Sequence, residues 1–452
     1  MSLSRTLFRT LPLTAAVVLA FASSAHAQSL VEMFDAARGY DAGFISAKAQ
    51  FEANLAKANQ TLGGILPNIA LSASATRTYF EGRNDNGAAW PISPNPRVYG
   101  TGAGAVTLTQ PLYRPAAWAA YRQGGHLLQQ AAAQFEAAEQ DLLVRVTQAY
   151  FDVLTSEDSL ALVKAQKQAV GEQLASAQRN FEVGTATITG VRDAQARFDL
   201  ANAQEIAGEN DLRIKRLALD LAVGLSNATP KRLANNTKLI TPPTEDVSTW
   251  VTQSETTSPA VRQAQLGLDI ASQEVNKATA GHKPTLDAQI SYSGVRNVDG
   301  SATSPSGSHI FNPSAAVVLN VPIFAGFSTM YKVKEAVALE DKARSDYENA
   351  RRATAQATRT AYFGLMAGLS QVKAYEAAEA SSQSALDANK LGYSVGVNIN
   401  IDVLNSQSQL YQTKRDLAKA RYDVLVTNLK LRQAAGTLTP ADLQPINDLL
   451  AP

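Results

Sequence analysis

Cysteine is absent from the 452 residues, and histidine and methionine occur only four times each. Without cysteine there is no disulfide framework, no CxxC metal site, no thiol nucleophile and no lipidated N-terminal cysteine. Charge of one sign is missing too: 41 Lys+Arg stand against 40 Asp+Glu, so the chain lacks the basic footprint of a nucleic-acid binder. After residue 27 no apolar run reaches the roughly 18 residues of a spanning helix, so any membrane crossing must be made of strands.

The first 27 residues have the layout of a secretory leader. Arg5 and Arg9 form a basic start, Leu11 to Ala22 an apolar run, and Ala25-His26-Ala27 a small-x-small cleavage site before Gln28. Removing the two arginines takes the net charge from +1 to −1. Export without cysteine fits the bacterial cell envelope.

An internal duplication organises the remainder. Ala149-Tyr150-Phe151 recurs as Ala361-Tyr362-Phe363, Val183-Gly184 as Val395-Gly396, Val191 as Val403, Gln195 as Gln407 and Gly224 as Gly436, all at an offset of 212. The division is then a leader (1–27), a first repeat (28–226) with a strand hairpin at 66–112, a linker (227–257), a second repeat (258–436) with a hairpin at 284–323, and a tail (437–452).

Each half reads as helix, two strands, then two long helices. Leu128, Ala131, Phe135, Ala138, Leu142, Val146, Ala149 and Val153 step by three or four, a helical period with an alanine-rich face suited to close, coiled-coil-like packing. The proline-free stretch from Pro115 to Val183 can reach about 100 Å as one helix. The strands alternate: Ile69, Leu71, Ala73 and Ala75 against Asn68, Ser72, Ser74 and Thr76, and Ile290 and Tyr292 against Gln289, Ser291 and Ser293. Long Gly/Asn/Ser/Pro-rich loops, 81–96 and 297–313, join each pair. Lipid tolerates no open strand edge and the smallest membrane barrels need about eight strands, so four per chain require an oligomer. Two, three or four copies give 8, 12 or 16 strands, and a wide polar lumen favours the larger counts.

Segments spread over the whole mature chain resemble the TolC family of trimeric outer-membrane efflux and secretion channel-tunnels. They are "RNFEVGTATITGVRDAQARFD" and its partner "LGYSVGVNINIDVLNSQSQLY", "AGHKPTLDAQIS", "LTQPLY", "LNVPIF" and "ARYDVLVTNLKLRQAAGTLTPADL". The resemblance implies a mixed α and β fold, a transmembrane β-barrel of four strands per protomer and 12 in the trimer. A long α-helical barrel continues it through the periplasm, with an equatorial belt at 227–257 and in the tail. It implies a homotrimer in outer-membrane lipid, no cofactor, no enzymatic activity, a periplasmic adaptor (membrane fusion) protein, and an inner-membrane ABC or proton-driven pump. The Val183-Gly184 and Val395-Gly396 turns become the adaptor-docking tip. Asp402 matches the first of two family aspartates lining the narrowest aperture, while the second position is Asn405. The charged pair that ties the family's closed state falls on Gly190 and Asn398 beside Tyr393, so both charges are missing, and Arg192 or Asp193 are the substitutes at hand.

Several motifs point elsewhere and are discounted. Gly392-Tyr393-Ser394-Val395-Gly396 fits GxSxG, but a nucleophile elbow needs a strand before it and here a helix precedes. Gly100, Gly102 and Gly104 run into a strand instead of opening a helix, so they leave lumen space or ease curvature. His126, His282 and His309 lie on a helix, a helix end and a loop without ligand spacing. Tyr150, Phe151, Tyr362 and Phe363 are expected to be packing aromatics, and Asp402 to double as a helix N-cap before Val403. The rival reading of another class is a structural coiled-coil envelope protein without a pore.

Overall fold

The computed structural model describes residues 28–86, 90–234 and 246–451. The leader at 1–27 and the middle of the expected linker lie outside them. Two long helices set the shape: α3 (Pro115–Glu182, 68 residues) and α7 (Ser328–Ser394, 67 residues), each about 100 Å long. Pro115 sits at the first turn of α3, where its missing N–H costs nothing. Before α3 come α1 (Leu30–Tyr40) and α2 (Ala42–Gln60), and after it α4 (Ile188–Val223). The second half repeats the order with α5 (Val247–Thr257), α6 (Pro259–Thr279), α7 and α8 (Asn400–Ala435). The helices α4 and α8 are both 36 residues long, start 212 residues apart, and stop at Gly224 and Gly436, which take left-handed φ of 72° and 71° as C-caps. The duplication is therefore structural.

Strands β1 (Asn68–Phe80), β2 (Arg97–Tyr113), β3 (Thr285–Val298) and β4 (Ser308–Asn320) form one antiparallel sheet in the order β1-β2-β3-β4. The two hairpins are joined through β2 and β3, with Leu108 opposite Ile290 and Gly104 opposite Gly294. One face carries Ile69, Leu71, Val106, Leu108, Ile290, Tyr292, Val317 and Leu319; the other carries Ser72, Ser74, Thr76, Thr107, Ser291, Ser293 and Ser314. Three expectations are corrected here. The second loop is shorter than 297–313, because Asn297, Val298 and residues 308–313 extend the ladder, and Pro313 is tolerated because β4 is an edge strand. His309 is accordingly on β4, not in a loop. Gly100, Gly102 and Gly104 share the side of Val106 and Leu108, so they open space on the apolar face and not in the lumen.

The core lies midway along the helices. Leu30, Met33, Phe34, Tyr150, Phe151, Leu154, Leu219, Leu425, Leu443 and Ile446 pack where α1, α3, α4, α8 and the tail meet. The α1 start is fixed by Ser29 and Glu32, which cap each other's backbone N–H. The Tyr150 hydroxyl donates to the Lys231 carbonyl at 2.9 Å, and Tyr422 donates to Asp158 at 2.7 Å. Burial pushes both phenols far above the ordinary tyrosine range, and the Asp158 charge adds to the effect on Tyr422. Phe151 stacks on Tyr422 at 5.5 Å, whereas its repeat mate Phe363 is 58% exposed in the single chain. The reason is position: α7 lies at the edge of the chain's helical strip, whereas α3 lies inside it.

The strip has the same form at every level. Above the core α3 packs on α2 and α6, and α6 on α7; below it α3 packs on α4 and α8, and α8 on α7. The lateral orders are thus α2-α3-α6-α7, α4-α3-α8-α7 and β1-β2-β3-β4. Each level is a row of four with two uncovered edges.

Candidate functional site

The end of the molecule remote from the sheet is built from two reversals. Helix α3 stops at Glu182 and α7 at Ser394, and Gly184 and Gly396 then take φ of 82° and 79°. Glycine supplies that left-handed step without steric cost. Around the turns Val183, Val395, Val397 and Ile399 expose 63–79% of their surface. Apolar side chains concentrated at such a tip are an unusual surface for a chain with 18% charged residues.

Between the reversals lies a cavity of about 560 Å³ lined by, among others, Asn180, Gly190, Asp193, Tyr393, Asn398 and Asn400. The structure thus brings Gly190, Asp193, Tyr393 and Asn398 to one cavity. Val183, Gly184 and Val395 stay outside the cavity on the turns, Gly396 borders it, and Asp402 and Asn405 follow on α8. Arg192 and Asp193 are exposed, and among the described residues neither takes an ion pair. Neutral contacts tie the first helix pair to the second instead. The Asn180 amide donates to the Tyr393 hydroxyl at 3.2 Å. Asn400, at 9% exposure, accepts from the Gln173 amide and donates to the Gly190 carbonyl at 3.5 Å. Asn398 donates to Asn389 at 2.7 Å, and Asn389 donates to Ser406, which stiffens the second turn.

Asp402 is half-buried in the first turn of α8. It is not the N-cap: Ile399 holds that place, and the Asp402 carboxylate accepts the Ile399 N–H at 3.2 Å from the third helical position. The helix starts three residues earlier than expected because Asn400 and Ile401 already have helical backbone. Asn405 is exposed and accepts from the Arg197 guanidinium at 2.6 Å. Residues 402 and 405 are neighbours on one helix face, so Arg197 brings a positive charge within about one turn of Asp402. Sequence reasoning missed Gln173, Asn180, Arg197 and Asn400. Only the spacing of Asn400 from the second Val-Gly turn signalled it, and nothing in α3 marked Gln173 or Asn180.

At the sheet end, aromatics form two girdles. Tyr113, Trp118, Tyr121, Phe324 and Phe327 are exposed where the strands meet the helices, and Tyr79 and Phe311 toward the far loops. Arg114 grips Asp287 with two parallel bonds of 2.8 and 2.7 Å, fastening the start of α3 to the foot of β3. Among the described residues no helix is long and apolar enough to cross a membrane, and no His/Asp/Glu group has metal-binding geometry.

Comparison with known proteins agrees with this geometry. The sequence model of the family described as outer membrane efflux protein matches residues 36–225 and 250–437. The outer membrane protein TolC of Vibrio cholerae is 31% identical over 438 residues, 97% of each chain. The alkaline protease secretion protein AprF of Pseudomonas aeruginosa is 29% identical, covering 77% of this chain and 72% of that one. Among solved structures, the Campylobacter jejuni CmeC outer membrane channel superposes with a TM-score of 0.78 at 17% identity, over 93% of this chain and 90% of that one.

Proposed function

The chain belongs to the outer membrane efflux protein family, and from that premise we propose that three copies close into one continuous duct. It is an outer-membrane channel-tunnel for secretion and efflux, with its helical part in the periplasm. The observation that carries closure by further copies is the coincidence of open edges, and the number three is the family's. The sheet ends on β1 and β4, the upper helices on α2 and α7, the lower ones on α4 and α7, and a neighbour related by rotation about one axis covers all of them at once. The outer side of α4 is dressed for such a neighbour: Leu200, Ile206, Ile214, Leu217 and Leu221 recur at helical spacing and stand exposed in the single chain. Eight strands enclose a lumen that side chains fill, whereas twelve leave room for cargo behind the Ser/Thr-rich inner face.

The duct performs no covalent chemistry of its own and takes no cofactor. An inner-membrane ABC or proton-driven pump supplies the energy, and a periplasmic adaptor seats on the apolar tip around Val183-Gly184 and Val395-Gly396. Protein cargo is supported by the likeness to a protease secretion protein. Three Asp402 carboxylates around the axis attract cations at the entrance, and three Arg197 guanidinium groups, fixed by Asn405, offset part of that field. Tyr393, Asn398, Asn400 and Gly190 form the gate, held by the neutral contacts described above.

Outer-membrane fractionation with planar-bilayer recording tests this reading. A detergent-extracted outer-membrane species that conducts is expected. A soluble periplasmic rod with no conductance is the outcome that sinks it and favours the pore-free coiled-coil alternative.

A further inference from the structure

The apolar face of the sheet carries two arginines and a histidine that the duct does not use. Arg77 on β1, Arg296 on β3 and His309 on β4 share the side of Leu71, Val106 and Ile290. All three are exposed, and among the described residues none has a side-chain hydrogen bond or ion pair. No acidic residue shares this face of the four strands. Of the carboxylates in the adjoining loops, Glu81 is engaged by Arg83, and Asp85 and Asp299 lie beyond the strand ends.

Depth follows from the register. Arg296 and His309 face each other ten residues above the Leu286–Leu319 row. At about 3.4 Å per residue and a tilt of about 40°, that is about 26 Å, the height of the roughly 25 Å apolar band of a membrane barrel. Arg77 stands one inward-outward period higher, in the row of Gly100 and Val298. Arg77, Arg296 and His309 therefore lie at the outer-leaflet boundary. Arg296 and His309 also border a cleft of about 320 Å³, lined among others by Gly102, Gly104, Gly294 and Phe311. The Phe311 ring leans over Gly294 and stacks with Tyr292 at 6.2 Å, walling one side. A cation held against hydrocarbon without a protein partner is costly, so its complement has to come from the membrane.

We propose that this outward cleft binds a phosphorylated, multiply acylated lipid of the outer leaflet. The phosphate lies on Arg296, Arg77 and His309, and an acyl chain follows the glycine floor beside Phe311. The assignment rests on the outer-membrane barrel reading, and its test keeps the two separable.

The assembled protein, in phosphatidylcholine vesicles doped with diphosphoryl lipid A or with the same lipid stripped of its phosphates, is assayed for lipid retained per assembly by native mass spectrometry. Conductance is recorded from the same vesicles. The parent should retain the phosphorylated lipid at least about tenfold better than the stripped one, and excess inorganic phosphate should not displace it. The Arg77→Gln plus Arg296→Gln variant should lose that preference. Gly102→Val, whose added Cβ meets nothing closer than the Arg296 carbonyl at 4.0 Å, should fill the floor and weaken retention of both lipids. A conducting parent indifferent to phosphorylation, or a double variant that keeps the preference, overturns the lipid site alone. A parent that never conducts overturns the barrel and the site with it.

Discussion

Replacing Asn400 by Ala should loosen the closed entrance. The Asn400 side chain is nearly buried and joins three helices, accepting from Gln173 on α3 and donating to the Gly190 carbonyl near the start of α4. Its loss removes one good and one long hydrogen bond and leaves the Gln173 amide without that acceptor, a cost of about 1 kcal/mol per protomer. Three protomers opening together multiply this to about 3 kcal/mol, or about a hundredfold in the closed-to-open ratio. Asn400→Asp keeps an acceptor for Gln173 but gives up the donor to Gly190, so it should fall between parent and alanine. Single-channel recording at low voltage reads the effect directly, as a rise in resting open fraction in the order parent, aspartate, alanine. If Asn400→Ala assembles normally and rests as closed as the parent, opening does not part α8 from α3 and α4, and the neutral latch is not the gate.

Three further outcomes follow from the same region and from the core. Gly190→Asp plus Asn398→Arg should restore a charged tie worth about 1 kcal/mol per protomer and lower resting conductance. Space at Gly190 permits it, since the nearest atom to an added Cβ is Thr187 Oγ1 at 3.8 Å, and Asn398→Arg alone should achieve part of the effect through Asp193 in the same cavity. Asp402→Asn should reduce cation selectivity and block by multivalent cations, whereas Arg197→Gln should raise both; reversal potentials in a salt gradient decide, and no change in either variant removes these residues from the aperture. Because the folded chain holds Tyr150 and Tyr422 protonated above the ordinary tyrosine range, unfolding takes up hydroxide once pH passes about 10. Stability in thermal melts should therefore decline with rising pH above that point and not below it, with Tyr422→Phe flattening the slope.

Much of the architecture was legible because it is written in periods. The 212-residue offset, the 3.6-residue spacing along α3 and the two-residue alternation along β1 and β3 each reflect a surface that must be buried or presented to lipid. Gly184 and Gly396 were legible for a related reason, since a left-handed backbone step leaves a glycine in the sequence. What could not be read was pairing between distant segments. Nothing local says that β2 pairs with β3, that Arg197 reaches Asn405 across 208 positions, or that Gln173 meets Asn400. Phe363 shows the same limit, because its burial depends on whether α7 is an inner or an edge helix. For Gly102 and Gly104 the sequence left lumen space and strand curvature as alternatives because a glycine carries no polarity; only the register through Val106 and Leu108 puts them on the apolar face.

On the proposed function, this four-strand, four-helix strip is one third of a closed object. Native mass spectrometry of the detergent-extracted outer-membrane protein tests it most directly. A single species of three chains is expected, persisting until the α4 edge is disrupted, for example by Leu217→Glu plus Leu221→Glu. A conducting species of one or two chains contradicts it.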